Sequence, residues 1–165
     1  FLCKTCYDTG MRIGSVPLRG GCMKADRDIM ITVSVRVNAP LAHVWDCWTN
    51  PRHITGWNQA SADWHTPSAE NDPRTGGRFN YRMAARDGSA AFDFTGTYTA
   101  VVPYQRIAYT MDDGRRVSVV FLAERDGVVI IEQFEPESLH SHELQREGWQ
   151  AILTSFAAYA ERGIT

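Results

Sequence analysis

The longest amphipathic pattern in the chain lies near its C-terminal end and predicts one helix from Ser138 to Arg162. Ser138 or Ser141 is expected to cap its start, and Gly163 stands where a helix commonly ends. Gly148 inside it predicts the close approach of another group, either a sheet or a bound ligand. The apolar stripe consists of Trp149, Ile152, Leu153, Phe156 and Ala160. Such a stripe must be buried, and the partner should be a curved antiparallel sheet, because most of the preceding chain is strand-like.

Before this helix, apolar and polar residues mostly alternate with a period of two, as in half-buried strands. Residues 29–37 form the first predicted strand. Asn38-Ala39-Pro40 and Asn50-Pro51 each place an N-cap residue near a proline, which predicts two short helices, the second ending at Gly56. Residues 57–71 have no clear period, and we expect a partly extended segment across one end of the sheet. Asp-Gly turns then separate five strands, predicted over residues 78–85, 90–101, 105–111, 115–124 and 128–134.

A bent sheet around a single helix leaves a cavity, and the alternation predicts which residues face it. The predicted ligand-binding residues are Trp57, Trp64, Phe79, Tyr81, Met83, Phe92, Phe94, Tyr98, Tyr109, Glu132, Phe134, Gln145, Trp149 and Ile152. Apolar and aromatic walls with a few polar groups are typical of small-molecule sites. For any single aromatic residue, an ordinary place in the core is the alternative.

Glu132 is the candidate catalytic residue, because it interrupts an otherwise apolar strand face. If that face lines the cavity, burial should raise the pKa of its carboxyl group and suit it to general acid–base chemistry. The alternative is that Glu132 pairs with Arg82 or Tyr109 and only closes the sheet. Asp63, His65, Glu70 and Asp93 are further acid–base groups without such a context.

Metal and cofactor chemistry find little support in the sequence. His65 lies beside Asp63, and His140 and His142 precede Glu143, but there is no His-x-x-x-His pattern, phosphate-binding glycine loop or nucleophile elbow. We therefore expect no metal and no cofactor. Cys3 and Cys6 form a Cys-x-x-Cys pair, but no second pair follows to complete a zinc site.

The composition fits one globular domain, with 165 residues, 44% hydrophobic and 22% charged. We expect residues 1–27 to be an atypical N-terminal extension and residues 28–165 to be the domain. A net charge of −2 without a basic cluster argues against nucleic-acid binding. No run of 18 apolar residues predicts a membrane span, and residues 1–21 lack the apolar core of a signal peptide, so we expect a cytoplasmic protein.

Dense short motifs continue along the domain from about Asp28 to Glu161. They are Trp57-Asn58, Asp63-Trp64-His65, Ala69-Glu70-Asn71-Asp72, Gly76-Gly77-Arg78-Phe79, Tyr81-Arg82-Met83, Asp87-Gly88-Ser89, Phe92-Asp93-Phe94-x-Gly96-x-Tyr98, Tyr109-Thr110, Asp112-Asp113-Gly114-Arg115, Glu132-x-Phe134 and Glu143-Leu144-Gln145-Arg146-x-Gly148-Trp149-Gln150-Ala151-Ile152-Leu153. With the order of elements, these motifs resemble the START-like helix-grip (SRPBCC) superfamily. Within it they are most similar to the family named after the activator of the heat shock protein 90 ATPase, in its small bacterial single-domain form.

The resemblance implies an α+β helix-grip fold, in which a curved antiparallel sheet wraps one long C-terminal helix and two short helices follow the first strand. Members of the superfamily bind lipids, sterols, flavonoids, polyketides or plant hormones, and some are cyclases or dehydratases. The eukaryotic activators are co-chaperones that carry an additional chaperone-binding domain, which we do not recognise here.

We therefore expect this domain to bind a small hydrophobic molecule, either lipid-like or aromatic, without catalysis. Two alternatives stay open: a cyclase- or dehydratase-like enzyme that uses Glu132 in the same cavity, and a stress-related regulator of a chaperone ATPase. Homodimerisation is a further hypothesis, through an added or swapped strand that contains Phe1, Leu2 and Tyr7.

Overall fold

The computed structural model describes residues 29–162, which form a seven-stranded antiparallel sheet curled around one long helix. The elements are β1 (Ile31–Val37), α1 (Leu41–Thr49), α2 (Pro51–Trp57), β2 (Trp64–Asn71), β3 (Arg78–Ala85), β4 (Ala91–Val102), β5 (Arg106–Met111), β6 (Arg116–Glu124), β7 (Gly127–Phe134) and α3 (His142–Arg162). The predictions for the N-terminal extension, for Cys3 and Cys6 and for Gly163 lie outside the described residues. The predicted α+β helix-grip fold is confirmed.

The strands are ordered β1-β7-β6-β5-β4-β3-β2, so the chain from β2 to β7 is a meander and β1 adds beside its last strand. The five strands predicted after residue 77 agree with the structure to within one residue at each end. Gly88 and Gly114 lie in two of the predicted Asp-Gly turns with φ of 74° and 90°. This left-handed backbone favours glycine, which explains why these turn signals were informative.

The segment over residues 57–71, predicted to be partly extended across one end of the sheet, contains strand β2, which lies at the edge of the sheet. β2 is an edge strand that pairs only with β3, and its register shifts between His65 and Ser68, around Pro67. A shift in register breaks the alternation of side chains, and proline is tolerated at a sheet edge. No regular period was therefore present in the sequence to be detected.

The two short helices follow the first strand as predicted, but the start of α1 differs. Pro40 takes the N-cap position, with no capping side chain. Asn38 instead donates from its backbone and side-chain nitrogen atoms to Glu161 Oε1, at 2.8 and 2.9 Å.

At the start of α2, the Asn50 side chain accepts a hydrogen bond from Arg52 N at 3.1 Å, as its sequence signal predicts. α2 continues through Gly56 and ends at Trp57.

Helix α3 begins at His142, four residues after the predicted start. Ser141 caps it, because its Oγ accepts a hydrogen bond from Leu144 N at 3.2 Å. The predicted apolar stripe is buried, with Ile152 only partly covered.

One polar side chain of α3 covers the free edge of the sheet. Gln150 Nε2 donates to Ser34 O at 3.0 Å, and Gln150 Oε1 accepts from Ser34 N at 3.3 Å. Since β1 is the last strand on this side, these bonds protect backbone groups that would otherwise be open to another chain.

Candidate functional site

A cavity of about 140 Å³ lies between the inner face of the sheet and helix α3. Its lining residues are Trp48, Trp57, Asn58, Ala60, Ser61, Trp64, Phe79, Tyr81, Met83, Phe92, Phe94, Tyr98, Tyr109, Glu132, Trp149, Ile152 and Leu153. All of the residues predicted to line a cavity are among them, except Phe134 and Gln145. That these residues bind a ligand stays a prediction.

Phe79 lies at the centre of the aromatic wall. Its ring centroid is 5.1 Å from that of Tyr81, 5.3 Å from that of Tyr98 and 5.0 Å from that of Tyr109. Gly96 is its cross-strand partner, and a Cβ atom at that position would stand 2.7 Å from Phe79 Cζ. The glycine on β4 therefore provides the space in which the ring lies against the sheet.

Phe134 and Gln145 support the cavity from outside it, contrary to the prediction. Phe134 is fully buried and stacks on Trp149, with ring centroids 4.0 Å apart and an interplanar angle of 11°. Gln145 is also fully buried, and it hydrogen-bonds to Glu137 N, Glu137 O and His140 O at 2.8, 3.0 and 2.9 Å. It fixes the loop that leads into α3 and does not line the cavity.

The lining residues that sequence reasoning missed come mainly from α1 and the turn before β2. Trp48 lies on α1, where helical spacing indicated only a core position, and its ring centroid is 4.8 Å from that of Phe156. Ala60 and Ser61 lie in a segment without a period. Asn58 is the C-cap residue of α2, and within residues 29–162 its Nδ2 makes one contact, of 3.3 Å with Met83 Sδ. A polar amide directly after Trp57 was the one available signal for this position.

Two of the cavity's tyrosines belong to a hydrogen-bonded chain. Tyr98 donates to Asn71 Oδ1 at 2.6 Å, and Asn71 Nδ2 donates to Thr49 O at 2.6 Å. The hydroxyl groups of Tyr81 and Tyr98 are 3.4 Å apart. Burial raises the pKa of Tyr98 to about 12 and that of Tyr81 well above its usual value, so both stay neutral at physiological pH.

Glu132 faces the cavity without a partner. Its side chain is buried, with 6% of the residue exposed, and within residues 29–162 its carboxyl group makes no hydrogen bond and no ion pair. The predicted pairing with Arg82 was wrong, because Arg82 forms an ion pair with Asp93 at 3.2 Å. Tyr109 is close enough for the Glu132 charge to raise its pKa further, after the larger effect of burial.

Burial raises the pKa of Glu132 from 4.5 to about 8. Among the described residues no cation offsets the loss of water around the carboxyl group, so the charged form is disfavoured. At neutral pH the group is therefore mainly a carboxylic acid, which can both donate and accept a hydrogen bond.

The imidazole and carboxylate groups named as possible metal ligands do not converge. Within residues 29–162, no group of three or more His, Cys, Asp or Glu side chains has the geometry to hold a metal ion. His65 Nδ1 is 3.0 Å from Ala84 O, and His140 bonds to Glu137.

Within residues 29–162, no helix has the length and apolar character that crossing a membrane requires.

A second, more polar opening lies between α1, α2 and α3, away from the cavity. Cys47 and His43 contribute to it, with Cys47 Sγ 3.5 Å from His43 Nε2. Burial, and to a smaller extent the charge of Asp46, raises the pKa of the Cys47 thiol to about 11. Because the reactive form is the thiolate, this pair lacks the low thiol pKa of a cysteine nucleophile.

Comparison with known proteins gives a consistent family. The family model described as "Activator of Hsp90 ATPase homolog 1-like protein" matches residues 38–161. No curated protein matches the chain. The solution structure of the AHSA1-like protein from Aeromonas hydrophila is 43% identical and has a TM-score of 0.78, covering 82% of this chain and 94% of its own.

Two further solved structures agree with this result. The Cytophaga hutchinsonii protein Chr148 is 48% identical with a TM-score of 0.70, covering 81% of this chain and 93% of its own. Protein NE0264 from Nitrosomonas europaea is 17% identical, and its TM-score of 0.70, over 81% of this chain and 95% of its own, shows a shared fold alone. The extent of the family match, together with these structures, shows that the chain belongs to the family of activator of Hsp90 ATPase homolog 1-like proteins.

Proposed function

We propose that this chain binds one small apolar molecule, lipid-like or aromatic, in the cavity between the sheet and α3. The observation that carries the proposal is a cavity walled by aromatic rings in which one buried carboxyl group has no hydrogen-bond partner among residues 29–162. A buried polar group without a partner is costly to the folded state. A ligand with a matching polar group would offset that cost. The START-like fold, which commonly binds hydrophobic ligands, supports the same conclusion.

Native mass spectrometry of the freshly purified protein tests the proposal, because it preserves bound molecules. We expect a stoichiometric adduct that extraction identifies as an apolar small molecule. Ile152→Trp should abolish the adduct by filling part of the cavity, since Ile152 lines it. Ala158→Trp places the same side chain at an exposed position of α3 and should leave the adduct in place. A protein that carries nothing and takes up neither 1-dodecanol nor naphthalene would contradict the proposal.

Acid–base catalysis by Glu132 is the second candidate, and the pKa of about 8 favours it. A general acid or base works best when its pKa is near the working pH. Glu132→Gln separates the two candidates once a ligand is known. In an enzyme this variant should still bind the molecule but no longer convert it, whereas a carrier releases the molecule unchanged in both forms.

A further inference from the structure

Two polar groups that line the same cavity, one on β5 and one on β7, have no hydrogen bond within residues 29–162. Glu132 on β7 and Tyr109 on β5 are 6% and 7% exposed. Among the described residues, neither the Glu132 carboxyl group nor the Tyr109 hydroxyl group has a hydrogen-bond partner. By contrast, Tyr81 and Tyr98 hydrogen-bond to each other, and Tyr98 also bonds to Asn71. On the strand side of the cavity, Glu132 and Tyr109 are thus the two lining groups left to hydrogen-bond a ligand, and the Asn58 amide lies at the end of α2.

The volume of the cavity limits what can reach these two groups. A cavity of about 140 Å³ is similar to the engineered cavity of about 150 Å³ that accepts benzene. The walls consist largely of aromatic rings, which pack favourably edge-to-face or offset against another ring. The space as it stands thus fits one aromatic ring, with the remainder of any larger molecule directed towards the opening.

The charges around the two groups favour a neutral partner. The titratable side chains that line the cavity with Glu132 are Tyr81, Tyr98 and Tyr109, and burial raises the pKa of each. Arg115 is the cation that acts on Tyr109, and it does not line the cavity. No lining residue is therefore cationic, and a second carboxyl group would enter without a counter-charge. A hydroxyl group, in contrast, can donate to one oxygen atom and accept from another.

We propose that the cavity takes a neutral, single-ring aromatic molecule with a hydroxyl substituent, a phenol, whose hydroxyl group hydrogen-bonds to Glu132 and Tyr109. This inference rests on the proposed function and specifies the class of its ligand. Glu132 acts here in its neutral form, as a hydrogen-bonding acid.

The test compares three probes of similar size: phenol, toluene and benzylamine. Their dissociation constants are measured by protein-observed NMR titration at pH 6, 7 and 8. Toluene matches the shape of phenol but has no hydroxyl group, so the ratio of the two constants isolates the polar contacts. We expect phenol to bind at least as tightly as toluene, although phenol loses more hydration on entering the cavity.

Substitutions test whether Glu132 and Tyr109 cause the preference for phenol over toluene. Glu132→Leu together with Tyr109→Phe should shift the ratio at least tenfold in favour of toluene. Glu132→Gln keeps a neutral donor and acceptor and should change the ratio less than threefold. Glu70→Gln, at an exposed position of β2, is the control and should bind both probes as the unchanged protein does.

Other outcomes overturn the inference in distinguishable ways. If toluene binds more tightly and the ratio is the same in all variants, the polar contacts are wrong while apolar binding stands. If benzylamine binds most tightly, gains about tenfold per pH unit from pH 6 to 8 and is lost in Glu132→Gln, the ligand is a cation. If none of the probes binds, the phenol inference fails, and the mass-spectrometric experiment decides the proposed function separately.

Discussion

Replacing Glu132 by glutamine should make the stability of the fold less dependent on pH. Burial raises the pKa of Glu132 from 4.5 to about 8, so between these values the folded chain keeps a proton that the unfolded chain releases. The free energy of unfolding is therefore highest below about pH 4.5, as far as this group is concerned. It falls as the pH rises and levels off above about pH 8.

The magnitude follows from the same linkage. Each pH unit within this window lowers the free energy of unfolding by about 1.4 kcal/mol. Glutamine does not ionise, so the variant should lack this slope. From pH 5 to pH 7, the difference between the variant and the unchanged protein should therefore grow by about 2 to 3 kcal/mol in favour of the variant.

Urea unfolding followed by tryptophan fluorescence at pH 5, 6 and 7 measures this difference. Glu70→Gln is the matched control, because it removes a glutamate from an exposed position and should keep the pH dependence of the unchanged protein. Parallel pH profiles for Glu132→Gln and the unchanged protein would refute the reasoning. They would mean that the carboxyl group is either solvated or paired in solution.

Three further predictions concern packing, hydrogen bonding and thiol reactivity. Gly96→Ala should lower the free energy of unfolding by about 1 to 3 kcal/mol, because its Cβ atom would lie 2.7 Å from both Phe79 Cζ and Thr110 O; urea unfolding with Thr99→Ala on the same strand as control measures this. Gln145→Ala leaves up to three partly buried backbone groups without their Gln145 partner and should lower the free energy of unfolding by about 2 to 4 kcal/mol; a variant as stable as the unchanged protein would contradict this. At pH 8, iodoacetamide should label Cys47 in the folded protein at least about 100-fold more slowly than in urea, because burial raises its thiol pKa to about 11. Peptide mapping by mass spectrometry measures both labelling rates, and equal rates would contradict the prediction.

The sequence was most informative for strands in which the local residue pattern and burial in the folded protein favour the same conformation. Strands β3 to β7 each have one buried face, so their alternation identified them, and Asp-Gly turns marked several of their ends. The inward residues of the cavity followed directly from this parity. The edge strand β2 escaped detection because pairing on one side and a register shift at Pro67 removed the period. Trp48 was missed because helical spacing cannot distinguish a core wall from a cavity wall.

The start of α3 shows a different limit. Ser138 and Ser141 carry the same capping signal, and only tertiary structure selects between them. Gln145 favours the later start, because its buried side chain hydrogen-bonds to the backbone of Glu137 and His140 and so holds these residues in the loop before the helix. A glutamine on a helix face close to the apolar stripe gave no sign of this role. Its assignment to the cavity failed for that reason.

That Arg82 does not pair with Glu132 could have been predicted from the sequence. Arg82 alternates with Tyr81 and Met83 on β3, so the parity that directs these two residues inward directs Arg82 to the outer face. There its cross-strand neighbour is Asp93, which it pairs with. The alternation on β3 therefore already shows that Arg82 cannot supply a counter-charge for Glu132. Within residues 29–162 the Glu132 carboxyl group therefore lies on an inward face without a charged neighbour, and this is why the proposed ligand is given the role of its hydrogen-bond partner.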